Sequence, residues 1–282
     1  MTSQIKTLFL LALLSGLMVV IGGALGGRVG VVVALGLALV MNVGSYWYSD
    51  RIVLSMYKAQ ELSPQDAPML HTIVEELAHN AGIPKPRVCV IPEDAPNAFA
   101  TGRDPEHGVV AVTNGIVRLL SPEELRGVLA HEIGHIRNRD ILIQSVASVL
   151  GSAIVSIAHI LQFSAFFGGN RDENGGSGWG ALLMALLAPI AAGIIQMAIS
   201  RSREYLADDT GAALSGTPRS LANALRKLSD WNQRVPMHNG NATTAQMFIV
   251  APLFGGGMAS LFSTHPPIEE RIARLEAMAH QR

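Results

Sequence analysis

The chain has 282 residues, of which 49% are hydrophobic and only 15% are charged, and its formal net charge is −1. An average soluble domain carries about 25% charged residues, and disordered chains are polar and charge-rich, so disorder is excluded. No basic excess points to a nucleic-acid partner. The single cysteine, Cys89, excludes an internal disulfide framework and a cysteine-rich zinc module.

The apolar residues are concentrated in four long blocks. Residues 8–27 and 29–48 form the first two, and only Arg28 separates them. Residues 141–169 and 179–200 form the third and fourth blocks. Because a bilayer core of about 30 Å needs about 20 helical residues, this pattern predicts four transmembrane helices. A buried core helix is the alternative for each block.

Lysine and arginine residues indicate the orientation of these helices. Nine of them lie in residues 50–140 and nine in residues 201–282, whereas the turn at Arg28 and the glycine-rich loop at 168–178 carry one each. Positive residues stay on the cytoplasmic side. Both termini and both large polar segments are therefore predicted to be cytoplasmic.

The chain is thereby divided into four parts. Residues 1–48 are predicted to form a membrane hairpin of two spans, since no cleavage site with a polar mature start marks the first block as a signal peptide. Residues 141–200 form a second hairpin. Residues 49–140 and 201–282 together form one small α+β cytoplasmic domain.

Local patterns predict the elements of that domain. Helices are expected at 64–82, at 219–231 and at 268–278, and a further helix begins with a capping box at Ser121. Whether that helix continues into the third apolar block stays open. Strands are expected at 87–91 and 109–113, with a further one at 97–101. The apolar stretch 245–262 contains Pro252 and three successive glycines, so it is predicted to be a loop rather than a fifth span.

The helix that begins at Ser121 carries the sequence His-Glu-Ile-Gly-His at 131–135. His131 and His135 share a helix face, so both imidazoles can reach one metal ion. Glu132 lies beside them, where it can accept a proton from a metal-activated water. Two solvated histidines and a surface glutamate are the alternative.

A catalytic zinc takes three protein ligands and keeps one position open. No histidine stands six residues after His135, so the ligand pattern with a third histidine there is excluded. Residues 202–208 follow the fourth apolar block, while the histidine pair precedes the third, and antiparallel spans would bring these ends together. We predict Glu204 as the third ligand and Asp208, on the same helix face, as acceptor for a ligand imidazole. A charged cluster that faces lipid headgroups is the alternative.

Three motifs in this order, at 131–135, at 202–208 and the Ser-Thr-His-Pro-Pro at 263–267, resemble the bacterial HtpX membrane metalloproteases, relatives of the eukaryotic CAAX prenyl endopeptidases. The resemblance covers nearly the whole chain. It implies zinc-dependent cleavage of peptide bonds at the cytoplasmic face of the bacterial inner membrane, and disposal of misfolded membrane proteins under stress.

The same resemblance implies further site residues. His265 and Arg271 would stabilise the tetrahedral intermediate, because a developing oxyanion needs a nearby cation or N–H donor. Four residues would form an edge strand that holds the substrate: Asn97, Ala98, Phe99 and Ala100.

The predicted fold is thus an α-helical multi-span membrane protein, with four transmembrane helices and a small α+β gluzincin-like cytoplasmic metalloprotease domain. One Zn²⁺ per chain is expected. The expected partners are protein substrates, in particular membrane proteins, and the lipid bilayer. Native substrates, latency and oligomeric state stay open. Two alternatives also stay open: a processing protease for lipidated C-terminal peptides, and a non-catalytic zinc-binding membrane scaffold.

Overall fold

The computed structural model describes residues 3–167, 201–232, 247–250 and 266–281, together with Gly193 and Thr244. The predicted fourth membrane helix lies outside the described residues except for Gly193, and so do His265 and most of the stretch 245–262.

The N-terminal helix α1 (Ser3–Met56) folds back on itself at Gly27, whose φ of 56° and ψ of −137° are not helical. A turn of this kind requires glycine because other residues are strained at such angles. The two halves touch: the side-chain amide of Asn42 donates to Ser15 Oγ at 2.9 Å. Near the turn, a Cβ on Gly30 would lie 1.9 Å from the carbonyl oxygen of Gly22. The predicted hairpin shape is therefore present.

Among the described residues, one helix is long and apolar enough to cross a bilayer, namely Gly26–Met56 with 31 residues. Thr7–Val20 and Ile141–Val155 are shorter apolar helices. Helix α5 (Ile141–Phe167) packs against α1 through a cluster of leucine, isoleucine and valine side chains that includes Leu10, Leu14, Ile143 and Val146. The four-span arrangement stays a prediction.

A four-stranded sheet packs one face against Val53 and Leu54 near the end of α1, and its other face against later helices of the domain. Its strands are β1 (Gln60–Glu61), β2 (Arg87–Ile91), β3 (Ala98–Thr101) and β4 (Val109–Thr113), in the order β1-β2-β4-β3. Strands β2 and β4 are parallel, while β3 is antiparallel to β4. The predicted strands are confirmed, and β3 lies at an edge of the sheet.

The four helices predicted for the polar segments are present within a few residues of their expected bounds, and further helices that were not predicted lie between them. Helix α2 begins at Pro68 rather than at 64, because Ser63 Oγ donates to Asp66 Oδ2 at 2.6 Å and closes a turn before it. In chain order the helices are α2 (Pro68–Ala81), a short 3-10 helix (Pro105–His107), α3 (Asn114–Leu119), α4 (Pro122–Arg137), then after α5 α6 (Arg201–Ser215), α7 (Pro218–Asn232) and α8 (Ile268–His280).

Helix α4 is the centre of the domain, and its start follows the predicted capping box. The Ser121 hydroxyl accepts from the Glu124 backbone N–H, and the Glu124 carboxylate accepts from the Ser121 backbone N–H. The helix ends at Arg137 instead of running on into α5. Arg139 takes a left-handed conformation with φ of 60°, which breaks the helical path.

Helices α4 and α6 approach closely because α6 has a glycine at the contact. A Cβ on Gly211 would lie 2.8 Å from the backbone nitrogen of His131 and 3.0 Å from its Cα. Both contacts are with backbone atoms, which cannot swing aside as a flexible side chain does. The missing side chain at Gly211 thus sets the distance between the two helices.

We expect Gly211→Val to separate α4 from α6 and to lower the free energy of unfolding by about 1–3 kcal/mol, as overpacking does in close-packed interiors. Denaturant unfolding of the detergent-purified protein measures this. Ala213→Val is the control, since Ala213 is exposed on the same helix. Equal stability of the two variants would contradict the close contact.

Candidate metal centre

Three side chains from α4 and α6 converge on one point. The Nε2 atoms of His131 and His135 are 3.2 Å apart. Glu204 Oε1 lies 3.5 Å from His135 Nε2, and Glu204 Oε2 lies 3.8 Å from His131 Nε2. The three residues are buried. Within the described part of the chain they are the one group of three metal-ligating side chains that meets this geometry, with all ligand atoms within 4.8 Å of one another.

These distances fit a tetrahedral ion. Ligand atoms held about 2.0–2.2 Å from a zinc ion in that geometry lie roughly 3.3–3.6 Å from one another. The donor set, two neutral nitrogens and one carboxylate, is also the one that hydrolytic zinc enzymes use. The residues present therefore fit a divalent metal, and three of them leave one position open.

Asp208 lies on the far side of His131 from this point. Its Oδ1 is 2.9 Å from His131 Nδ1, the distance of a hydrogen bond in which the imidazole N–H donates. A carboxylate in that position turns Nε2 toward the metal. This distance suits the predicted role of Asp208 as acceptor for a ligand imidazole, and that role stays a prediction.

Arg271 of α8 holds the Asp208 carboxylate through two hydrogen bonds. Its Nε donates to Oδ2 at 2.9 Å and its NH2 group donates to Oδ1 at 2.7 Å. The NH1 group donates to the carbonyl of Ile249 at 3.0 Å and lies 3.8 Å from Glu204 Oε2. Arg271 has no exposed surface, so it is near the site but engaged with protein. Its action on a reaction intermediate stays a prediction.

Glu132 is buried beside the ligands. Burial raises the pKa of its carboxyl group, and Glu204 adds to the rise, while His135, Arg271 and a hydrogen bond from the Ala100 backbone oppose it. The net result is a pKa of about 8. A divalent cation held by the neighbouring ligands would favour the ionised form of this carboxyl group, which is the form that accepts a proton.

The imidazoles of the two histidines have different pKa values. Burial lowers the pKa of His131 to about 4, and Arg271 adds to this, although Asp208 opposes it. Burial alone would also lower the pKa of His135, but Glu204, Asp140 and Glu132 outweigh it and raise the pKa to about 9. His131 is thus neutral in this environment, as a metal ligand must be, and His135 must lose a proton to bind.

The expected substrate strand is partly covered by the chain itself. The Asn97 side-chain amide donates to the Val250 carbonyl at 2.7 Å. The Ile249 backbone N–H donates to the Ala98 carbonyl at 3.0 Å. Phe99 is buried in a cluster of aromatic rings, 5.2 Å from the ring of Phe248. Ala100, at the other end of this stretch, bonds instead to the metal centre: its backbone N–H donates to the Glu132 carboxylate.

The sequence analysis missed two residues next to His135. Asp140 Oδ2 is 3.6 Å from His135 Nδ1, and Arg203 NH1 is 3.5 Å from Asp140 Oδ1. An aspartate shortly after the histidine pair is visible in the sequence. Its position beside His135 depends on α4 ending at Arg137, and the sequence left the end of that helix open. His265 lies outside the described residues.

The buried pair of Asp208 and Arg271 offers a test. Asp208→Asn removes the carboxylate that is hydrogen-bonded to the buried guanidinium of Arg271, and Arg271→Met removes the cation from the buried carboxylate of Asp208. Each change should lower the free energy of unfolding by about 3–5 kcal/mol. The double variant should be more stable than the sum of the two losses predicts. Unfolding in the presence of a chelator measures this, with Asp209→Asn on the exposed side of α6 as control. Additive losses would contradict the pairing.

Comparisons with known proteins agree with this site. Residues 64–279 match peptidase family M48. The chain is 57% identical over 282 residues to a protein of Syntrophobacter fumaroxidans named Protease HtpX homolog, covering 99% of this chain and 100% of that protein. A protein of the same name from Pyrococcus furiosus is 54% identical over 276 residues, covering 98% and 96%.

A solved structure also has a similar fold. The crystal structure of S. mikatae Ste24p superposes with a TM-score of 0.52 at 22% identity, and it covers 97% of this chain. This chain spans 65% of the length of that one. With the family match over most of the chain and the metal-ligating cluster inside it, the chain belongs to peptidase family M48 and is a metalloprotease.

Proposed function

We propose that this metalloprotease is a zinc-dependent endopeptidase of the bacterial inner membrane. Its substrates would be misfolded membrane proteins, cleaved at the cytoplasmic face as quality control under stress. The observation that carries the proposal is the convergence of His131, His135 and Glu204, with Glu132 buried beside them. The donor set supports zinc over harder ions such as Mg²⁺, which prefer oxygen ligands.

Bound there, a divalent cation would polarise the peptide carbonyl and make water acidic. Glu132 would accept the proton of the attacking water and deliver it to the leaving amine. Asp208 would keep His131 in the tautomer that presents Nε2, and Arg271 would hold Asp208 in place. We also propose His265 and Arg271 as donors to the oxyanion of the reaction intermediate. The position of Arg271 next to Glu204 supports its part in this role.

We further propose that substrate binds in an extended conformation along β3. The edge position of β3 and the contact of the Ala100 N–H with Glu132 support this, because a strand added there would pass the proton acceptor. The segment 247–250 already bonds to Asn97 and Ala98. Substrate pairing is therefore assigned to the Ala100 end of the strand.

The membrane setting draws its support from α1 and α5. Large apolar side chains point outward along α1, among them Val29, Val32 and Leu39, each exposed over more than 60% of its surface. A soluble monomer rarely exposes so much contiguous apolar area. Helix α5 begins only six positions after His135, which would keep the metal centre close to the cytoplasmic face of the bilayer.

The first test is Glu132→Gln. We expect this variant to bind one zinc per chain as the wild type does and to lose cleavage of an unfolded protein such as casein by at least about 10²-fold, the scale of general-base catalysis. Metal analysis and a cleavage assay on detergent-purified protein measure both. Glu123→Gln, exposed on the same helix, is the control. Cleavage at the wild-type rate by Glu132→Gln would exclude this mechanism.

The second test concerns orientation. In a Cys89→Ser background, Arg28→Cys places a thiol at the hairpin turn and Arg118→Cys places one on the exposed surface of the catalytic domain. A membrane-impermeant maleimide should label the thiol at position 28 in spheroplasts, and the thiol at position 118 only after lysis. The reverse labelling pattern would place the catalytic domain outside the cytoplasm.

A further inference from the structure

The two histidine ligands share one geometric requirement. Their Nε2 atoms face each other across the metal position, so each Nδ1 points away from it. A ligand imidazole is kept in this orientation when its second nitrogen donates to a carboxylate or carbonyl, which also fixes the tautomer. Asp208 accepts from His131 in this way. Nδ1 of His135 is buried, and among the residues that the structure describes no hydrogen-bond partner lies within bonding distance of it.

We propose that Asp140 is the positioning residue for His135, as Asp208 is for His131, and that Arg203 holds Asp140 as Arg271 holds Asp208. The inference rests on the proposed zinc site. Asp140 Oδ2 lies 3.6 Å from His135 Nδ1, so a closure of about 0.7 Å makes the hydrogen bond as short as the one between Asp208 and His131.

The turn after α4 brings Asp140 back to the helix. The Asp140 backbone N–H donates to the His135 carbonyl at 3.0 Å, and the Arg139 N–H donates to the Ile136 carbonyl at 3.1 Å. This pair of bonds is a Schellman motif, which normally has glycine at its left-handed position. Here Arg139 occupies that position with φ of 60°. The turn that places Asp140 beside His135 therefore contains a non-glycine residue with a strained backbone.

Arg203 comes from the opposite helix. It precedes the ligand Glu204 in α6, and its NH1 group lies 3.5 Å from Asp140 Oδ1. The Asp140 side chain is only 3% exposed and that of Arg203 is 14% exposed. Burying a carboxylate is costly unless an opposite charge accompanies it, and Arg203 provides that charge. Each imidazole is then backed by an aspartate, and each aspartate by an arginine.

A purely structural role for Asp140 is the competing explanation. Asp140 directly precedes α5, and its carbonyl accepts from the Gln144 N–H at 3.3 Å, so it stands at the N-cap of that helix. Asparagine caps helices as well as aspartate does. Asp140→Asn therefore keeps the capping ability and removes the charged acceptor, which separates the two roles.

The experiment measures zinc affinity by competition with a chromophoric chelator, using metal-stripped, detergent-purified full-length protein. Asp140→Asn should bind zinc about 10–100-fold more weakly than the wild type, the usual loss when a carboxylate behind a ligand histidine is removed. Asp140→Asn should remain folded in chelator and lose less stability than Asp208→Asn, because Arg203 is partly exposed whereas Arg271 is fully buried. Asp209→Asn, an exposed acid on α6, should leave the affinity unchanged.

Arg203 gives an independent second variant, which decides the matter if Asp140→Asn does not fold. Arg203→Gln should also weaken zinc binding, and Arg203→Lys should restore part of it, while the exposed Arg201→Gln should have no effect. Wild-type affinity in both Asp140→Asn and Arg203→Gln would overturn the inference. Failure of the wild type itself to bind zinc would instead overturn the proposed function, so the two failures are distinguishable.

Discussion

One buried cluster of charged side chains, where α4, α6 and α8 meet, must have its charges balanced. Four carboxylates surround the two histidines, and two arginines face them: Glu132, Glu204, Asp208 and Asp140, with Arg271 and Arg203. Two negative charges remain uncompensated, which is the charge of one divalent cation. Protons offer the same compensation, since Glu132 and His135 have pKa values of about 8 and 9. Burial without such compensation would be costly, so this domain is built to hold a cation.

Local signals were enough to predict the part of the site that lies on one helix. The capping box at Ser121 and the spacing of His131 and His135 are properties of a single helix, whose periodicity places both imidazoles on one face. The strands β2 and β4 are short apolar runs bounded by turn residues. Glu204 required a longer step, through the order of the apolar blocks, and the structure places its carboxylate beside both imidazoles.

Tertiary contacts decided the rest. Gly211 gives no signal in the sequence, because its importance comes from the backbone of His131 lying against it. The position of Asp140 beside His135 depends on the left-handed Arg139, which ends α4 and turns the chain back toward the helix. The bonds of the segment 247–250 to Asn97 and Ala98 join residues about 150 positions apart in the chain. Sequence patterns describe neighbours along the chain and not such pairs.

One guanidinium connects the metal centre with the edge of the sheet. Arg271 binds Asp208, which bonds to His131, and it also binds the Ile249 carbonyl, whose own N–H bonds to β3 at Ala98. The orientation of a ligand histidine and the covering of the β3 edge thus share a single fully buried side chain. Because an arginine fork has fixed geometry, a shift of the 247–250 segment moves the donor that holds Asp208. The edge strand β3 and the ligand histidine are therefore joined through one continuous chain of hydrogen bonds.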